Sequence, residues 1–170
     1  MKKLVFILTT VIAISVGQNA IAQKTIVDVA VSNDDFTTLV AALKAADLVG
    51  ALQEDGPFTV FAPNNAAFGK VDSKILNSLL EPKNKSTLSS ILTYHVVSGK
   101  LMASDVVAAL KKGKGKVEVP TLQGGKLTVM QKDGKIWLKD GNGNYSEIIA
   151  TDVKGSNGVI HVIDTVVMPN

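Results

Sequence analysis

Two histidines, His95 and His161, are the only side chains that ordinarily titrate near neutral pH, because the sequence contains no cysteine. They form no His-x-x-x-His or His-Glu-x-x-His pattern, the spacing that brings two imidazoles onto one helix face to bind zinc. Ser156 stands in Gly-Ser-Asn-Gly and lacks the Gly-x-Ser-x-Gly pattern of a hydrolase nucleophile. These residues therefore predict no catalysis, no cofactor and no metal site.

A calcium loop is the nearest candidate for metal chemistry. Asp140, Asn142 and Asn144 place oxygen ligands at alternate positions, as in the first half of an EF-hand loop. The sixth position holds Tyr145, where such a loop needs glycine for its sharp turn, and the twelfth holds Thr151, where it needs a bidentate glutamate. The segment is therefore predicted to be a hairpin turn rich in glycine and asparagine.

The first 22 residues have the order of parts that is typical of a secretory signal peptide. A positively charged start at residues 1–3 is followed by an apolar run of about 13 residues and then by the small-residue pattern Ala20-Ile21-Ala22. The run is shorter than the ~20 residues that span a bilayer. We predict cleavage after Ala22, no membrane span in the mature chain, and a secreted location, extracellular or periplasmic.

Residues 23–170 then form a single domain of 148 residues, long enough to bury a hydrophobic core without disulfides. Two of the 18 basic residues lie in the leader, which leaves 16 basic residues against 15 acidic ones. The chain contains no arginine, the residue that favours bidentate contacts with phosphate. A near-neutral domain without arginine is not expected to bind nucleic acid.

Helical periodicity dominates up to about residue 110, and strand-like patterns follow from about residue 116, which predicts an α+β domain. Helices are expected at 34–46, 64–68, 72–81, 84–93 and 104–110. Extended segments are expected at 58–62, 94–97, 117–122, 127–132, 135–139, 145–153 and 159–168. Asp133-Gly134, between two of these strands, is a strong signal of a two-residue hairpin.

Three local expectations concern single residues. Ser32 and Asp35 have the spacing of a helix capping box, which would follow a turn at 25–31. Ile75 is expected on the buried face of its helix, together with the leucines Leu76, Leu79 and Leu80. His161 belongs to an alternating apolar strand and is expected in or near the core, with its ring nitrogens hydrogen-bonded.

Three segments, in order along the chain, resemble the sequence boxes of the fasciclin domain family. Residues 58–68 read Phe-Thr-Val-Phe-Ala-Pro-Asn-Asn-Ala-Ala-Phe and are similar to the family's first box, Thr-Val-Phe-Ala-Pro-Thr-Asn-x-Ala-Phe. Residues 94–97 are similar to its Tyr-His motif, and residues 157–164 with 167–169 to its closing box. The resemblance covers about residues 25–169. It implies an α+β fold with a β-sandwich-like body of antiparallel strands and several packed helices.

The resemblance also implies a function, because fasciclin domains are exported modules associated with adhesion and protein binding. We expect a secreted or cell-surface binding module without catalysis, whose partner is a protein or polysaccharide of the cell surface or matrix. An alternative from another class is an extracytoplasmic carrier or sensor of a small apolar ligand, held between helices and sheet. An apolar cavity larger than a few waters would favour the carrier, and a fully packed interior would exclude it.

Tyr94, His95, Val96 and Val97 are the candidate partner-binding residues, because this motif of the fasciclin family has been proposed as a receptor-binding element. The residues themselves favour a structural role, since His95 follows three aliphatic residues at helical spacing, Leu88, Ile91 and Leu92. A buried phenol and a buried imidazole must also find hydrogen-bond partners, so the pair could join a helix to the sheet. The sequence leaves both interpretations open.

Overall fold

The computed structural model describes residues 24–170, so the predicted leader and its cleavage site lie outside the described residues. Within this part the chain forms seven α-helices: α1 Ile26–Val31, α2 Thr37–Ala45, α3 Val49–Gln53, α4 Asn65–Gly69, α5 Ser73–Leu79, α6 Lys85–Tyr94 and α7 Ala103–Lys112. It also forms seven strands: β1 Phe58–Pro63, β2 Val96–Ser98, β3 Lys116–Pro120, β4 Lys126–Lys132, β5 Lys135–Lys139, β6 Tyr145–Gly155 and β7 Gly158–Ile163. None of the helices described is long and apolar enough to cross a membrane.

The start of the domain differs from the prediction. Residues 25–31, expected as a turn, contain helix α1, and Ser32 is its C-cap rather than the start of a capping box. The box lies at Thr25, whose hydroxyl accepts from the Asp28 amide at 3.2 Å, while the Asp28 carboxylate accepts from the Thr25 amide at 2.9 Å. Thr25 and Asp28 have the same spacing as Ser32 and Asp35, so spacing alone did not distinguish the two pairs.

Helix α5 lies at the rim of the helical layer, and the prediction that Ile75 is buried is wrong. Asp72, where the helix was expected to begin, is its N-cap, since its carboxylate accepts from the Lys74 amide at 2.8 Å. Yet 54% of the Ile75 surface is exposed, and no residue of α5 is fully buried. The leucines that follow Ile75 pack against the core only in part, because the helix has neighbours on one side.

The seven strands form one sheet in the order β2-β1-β7-β6-β5-β4-β3. The α+β class with packed helices is confirmed, but the body is not purely antiparallel, because β1 pairs with β7 in parallel. The other five pairings are antiparallel. Strand β6 shifts register twice between Ile148 and Val153, and such irregularities bend a strand. One end of β6 therefore pairs with β5 and the other with β7.

The predicted two-residue hairpin between β4 and β5 is confirmed. Asp133 and Gly134 have φ values of 54° and 77°, both in the left-handed region, and Lys132 lies opposite Lys135 in the ladder. A two-residue loop with positive φ at both positions matches the right-handed twist of the strands it joins. This turn sets which side chains of β4 and β5 face outward.

Strand β1 lies between two hydrophobic cores. Val60 and Ala62 belong to a core formed with α1, α2 and α6, whereas Phe61 belongs to a second core that contains residues of α7, β4 and β5. Successive residues of a strand point to opposite sides, so β1 is buried on both faces. This explains why residues 58–63 read as an almost continuous apolar run rather than as an alternation.

The parallel pair leaves no room for a side chain at Gly158. This residue lies opposite Phe58, and a Cβ added to it would stand 2.3 Å from the Phe58 carbonyl oxygen. Gly158→Ala should therefore lower the free energy of unfolding by about 2 kcal/mol or more, and the melting temperature by several degrees. Gly50→Ala is the matched control in α3, where nothing lies within 4 Å of the added Cβ and no loss is expected. Equal melting temperatures for both variants would contradict this packing.

Candidate functional site

The Tyr-His motif lies at the joint between α6 and β2. Tyr94 is the last residue of α6, His95 is its C-cap, and Val96 and Val97 begin β2. Only 2% of the surface of each of the four residues is exposed. Val96 belongs to the core under the helices, and Tyr94 and Val97 belong to the second core. The four side chains thus form no surface patch in this structure, and their binding of a partner stays a prediction.

Both ring nitrogens of His95 are hydrogen-bonded to backbone. Nε2 accepts from the Val167 amide at 3.3 Å, so the ring proton is on Nδ1, which donates to the Ile91 carbonyl at 2.8 Å. Burial holds the pKa of His95 well below its usual value, at about 4, because the charged imidazolium would lose its hydration. His95 is therefore neutral at physiological pH, and it fastens α6 to the segment that follows β7.

The Tyr94 side chain of the motif is also hydrogen-bonded to backbone. It donates to the Lys126 carbonyl oxygen at 2.7 Å, which joins the end of α6 to the start of β4. Burial raises the pKa of Tyr94 above its usual value, so the phenol stays protonated and remains a donor. Tyr94 and His95 together hold one helix against two separate parts of the second half of the chain.

His161 is a satisfied core histidine, as the sequence predicted. It is 1% exposed and lies in the middle of β7. Its Nδ1 accepts from the Asp152 amide at 3.3 Å, so Nε2 carries the ring proton and donates to the Leu101 carbonyl at 2.7 Å. Phe61 lies beside the imidazole with ring centroids 5.8 Å apart. Both ring nitrogens of His161 are therefore hydrogen-bonded within the protein, and neither is available for acid–base catalysis.

The loop that begins at Asp140 is a turn, as predicted, and the Asp140 carboxylate accepts hydrogen bonds from the protein's own backbone. Asp140 Oδ1 accepts from the Asn144 amide at 2.8 Å, and Oδ2 accepts from the Met168 amide at 3.1 Å. The residue is buried, and Gly143 takes a positive φ of 88° in the same loop. Across residues 24–170, no group of three or more His, Cys, Asp or Glu side chains is placed to hold a metal ion.

The space between the helices and the sheet is filled. One apolar cavity, lined by residues of α1, α2, β1 and β7, measures about 20 Å³. Another, between α5, α6 and the segment after β7, measures about 10 Å³. A cavity of this size holds one water at most. Neither of these two interior cavities, both formed by described residues, has room for a small apolar ligand, so the alternative of a carrier that holds its ligand between helices and sheet is not favoured.

The larger depressions lie on the surface. One of about 580 Å³ is bordered by Tyr94, by the segment 123–126 and by Gly141, Pro169 and Asn170. A second, of about 420 Å³, shares Pro169 and Asn170 and faces α6. The only charged side chain that lines either one is Lys126, which already pairs with Glu118 at 3.2 Å. These depressions offer little chemistry for recognition.

A third depression, of about 380 Å³, has a different lining: Met130, Lys132, Trp137 and Tyr145. We call it the aromatic groove. Met130 lies directly opposite Trp137 in the β4–β5 ladder, and 51% of the Tyr145 surface is exposed. The sequence analysis missed it, although the alternation of Trp137 with the inward-facing Ile136 and Leu138 placed this tryptophan on the outer side of the sheet.

Comparison with known proteins places these features in a family. A sequence profile of the fasciclin domain matches residues 34–169. The chain is 51% identical over 145 residues to "Protein sll1483" of Synechocystis sp., covering 85% of this chain and 73% of that protein. It is 33% identical over 153 residues to the "Cell surface glycolipoprotein MPB83" of Mycobacterium bovis, covering 87% of this chain and 62% of the relative.

The fold is similar to that of a solved FAS1 domain pair from the insect cell adhesion molecule Fasciclin I. The TM-score is 0.74, with 21% sequence identity, over 85% of this chain and 51% of the solved one. At this identity the likeness concerns the fold alone. Proteins similar to this chain thus include a cell-surface protein and a cell adhesion molecule.

The structural role of His95 can be tested through stability and its pH dependence. His95→Gln should lower the free energy of unfolding by ~1–3 kcal/mol at pH 7, because buried hydrogen bonds are lost. In the unchanged protein the unfolded imidazole binds protons between pH 6.5 and about 4 while the folded one does not, so stability falls as the pH is lowered. That loss is about 2 kcal/mol from pH 7 to 5, and it should be missing in His95→Gln in urea unfolding.

Thr87→Ala, an exposed change on the same helix, is the control and should leave both quantities unchanged. Unchanged stability in His95→Gln combined with loss of partner binding would support the receptor-binding interpretation of the motif instead.

Proposed function

The chain belongs to the fasciclin domain family, and we propose that it is a secreted or cell-surface module that binds a component of the cell surface or surrounding matrix without catalysis. The similarity to a cell surface glycolipoprotein and to a cell adhesion molecule supports this role. The partner is a protein or polysaccharide of that surface or matrix, and neither nucleic acid nor a lipid bilayer is expected to be one.

The observation that carries the proposal is the contrast between a closed interior and an open sheet face. His95, His161 and Asp140 use their nitrogen and oxygen atoms in hydrogen bonds to the protein's own backbone. Trp137 and Tyr145, in contrast, line a groove to which no helix within residues 24–170 contributes a side chain. A protein whose polar side chains are engaged in its own hydrogen bonds, and whose aromatic side chains lie at its surface, is better suited to binding than to catalysis.

Export is part of the same proposal. Residues 1–22 have the charged, apolar and small-residue parts of a signal peptide, and the proposed cleavage after Ala22 leaves a chain that starts at Gln23. The mature protein would then meet its partner outside the cytoplasm, in the periplasm or beyond the cell. Without cysteine, the domain relies on packing and hydrogen bonds alone there.

The test is binding to intact cells of the producing organism. Protein recovered from outside the cytoplasm should begin at Gln23 by mass spectrometry, and, once labelled, it should bind the cells saturably. An excess of unlabelled protein should displace it, whereas an unrelated exported protein of similar charge should not. Binding that never saturates, or an intact leader on the recovered protein, would contradict the proposal.

A further inference from the structure

Positive charge is concentrated in one part of the chain. Residues 111–139 contain eight lysines and two acidic residues, a net charge of +6. The other residues of 24–170 contain eight lysines and 13 acidic residues, a net charge of −5. The net charge of residues 24–170 is therefore close to neutral, although residues 111–139 produce a strong local positive field. These basic residues lie at the end of α7 and on β3, β4 and β5.

Strand register collects these lysines on the outer face of the sheet. Lys116 lies opposite Met130, which lies opposite Trp137, and residues directly opposite one another point to the same side. The inner side of the same strands is taken up by the second core. Counting alternate positions from Met130 and Trp137 puts five lysines on the outer face: Lys116, Lys126, Lys132, Lys135 and Lys139.

Two of the five lysines are neutralised. Lys126 pairs with Glu118 at 3.2 Å, and Lys135 pairs with Glu147 at 2.7 Å. The other three, Lys116, Lys132 and Lys139, form no ion pair with any residue of 24–170. The Lys139 ammonium lies 5.9 Å from the centre of the Tyr145 ring. The face thus presents a net positive charge around the aromatic groove.

The floor of the groove is apolar and carries an unused donor. Trp137 stands between Met130 on β4 and Glu147 on β6 in the ladder, so an indole, a thioether and a carboxylate lie in one row. The indole Nε1 is buried and has no acceptor within the described residues. A buried N–H without a partner costs free energy, and this one belongs to the ring that lines the groove.

We propose that the aromatic groove and its lysines bind an acidic polysaccharide, an inference that rests on the proposed binding function and identifies its partner. The C–H face of a pyranose ring stacks on the flat indole of Trp137, which buries apolar surface on both. Uronate carboxylates along the polymer pair with Lys132 and Lys139, which form no ion pair within residues 24–170. Sugar hydroxyls, which donate as well as accept, find an acceptor in Glu147.

Two other acidic polymers fit this face less well. A phosphodiester backbone offers only acceptors, so it cannot donate to the Glu147 carboxylate as a sugar hydroxyl can, and the chain has no arginine to bind phosphate in a bidentate manner. An acidic peptide brings backbone N–H and C=O groups that need partners. The backbones of β4 and β5 are already paired on both sides within the sheet, so neither of these two strands has a free edge to offer them.

The test uses Trp137, which is the only tryptophan of the chain and therefore reports on the groove by its own fluorescence. Titration of the purified protein with polygalacturonate should change the emission saturably. Lys132→Gln/Lys139→Gln should weaken this binding about tenfold. Lys44→Gln/Lys74→Gln removes the same charge from two exposed lysines elsewhere and should bind within about twofold of the unchanged protein.

Neutral dextran, polyglutamate and single-stranded oligothymidylate are the comparison ligands, and none should match the response to polygalacturonate. An absent response to polygalacturonate, or an equal one to polyglutamate or oligothymidylate, would overturn the assignment of an acidic glycan. An equal loss in both lysine pairs would show that general charge, not the groove, is responsible. If intact cells still bind the protein saturably in any of these cases, the proposed binding function stands and only its partner has been misidentified.

Discussion

Strand β1 runs parallel to β7, and this pairing of segments roughly 100 residues apart holds the two halves of the domain together. Bringing such distant segments together costs chain entropy, which local hydrogen bonds do not offset. Burial on both faces of β1 supplies the compensation, and Gly158 allows the two backbones to approach. Asn157 extends the pair, since its backbone carbonyl accepts from the Phe58 amide at 3.0 Å. Its side chain accepts from the Ile26 amide at 3.0 Å and donates to the Leu52 carbonyl at 2.8 Å, which joins α1 and α3 to the start of β7.

The three segments that resemble the fasciclin boxes contain or lead into neighbouring strands around this parallel pair. The first box contains β1, the Tyr-His motif leads into β2, and the closing box contains β7, which gives the adjacent order β2-β1-β7. Their adjacency makes the three segments depend on one another, because each strand fixes the position of the next. The partner-binding surface that we propose lies toward the opposite end of the sheet, where β4 and β5 have an outer face that belongs to neither core.

Local patterns in the sequence predicted much of this fold. The Asp133-Gly134 hairpin, the start of α5 at Asp72 and the burial of His161 all follow from residues close in sequence or from simple alternation. Parallel pairing of β1 with β7 could not be predicted in this way, because nothing in either strand specifies a distant partner. The exposure of Ile75 was missed for a related reason, since helical periodicity marks an apolar stripe without telling how much of it the rest of the chain covers.

The candidate site was harder to predict than the fold. Resemblance directed attention to Tyr94 and His95, whose side chains the structure buries and bonds to backbone. The aromatic groove depends instead on strand register, which decides that Met130, Trp137 and Tyr145 meet on one side, and register is a property of the folded sheet.

Amide hydrogen exchange, with and without polygalacturonate, tests most directly whether the Tyr-His motif is structural and the aromatic groove is the contact surface. In the free protein the amides of β1 and β7 should exchange most slowly, because they lie between the two cores. Bound polymer should slow exchange in β4, β5 and the start of β6, and it should leave Tyr94, His95, Val96 and Val97 unchanged. Slower exchange at those four residues, with no change in β4 and β5, would contradict the account.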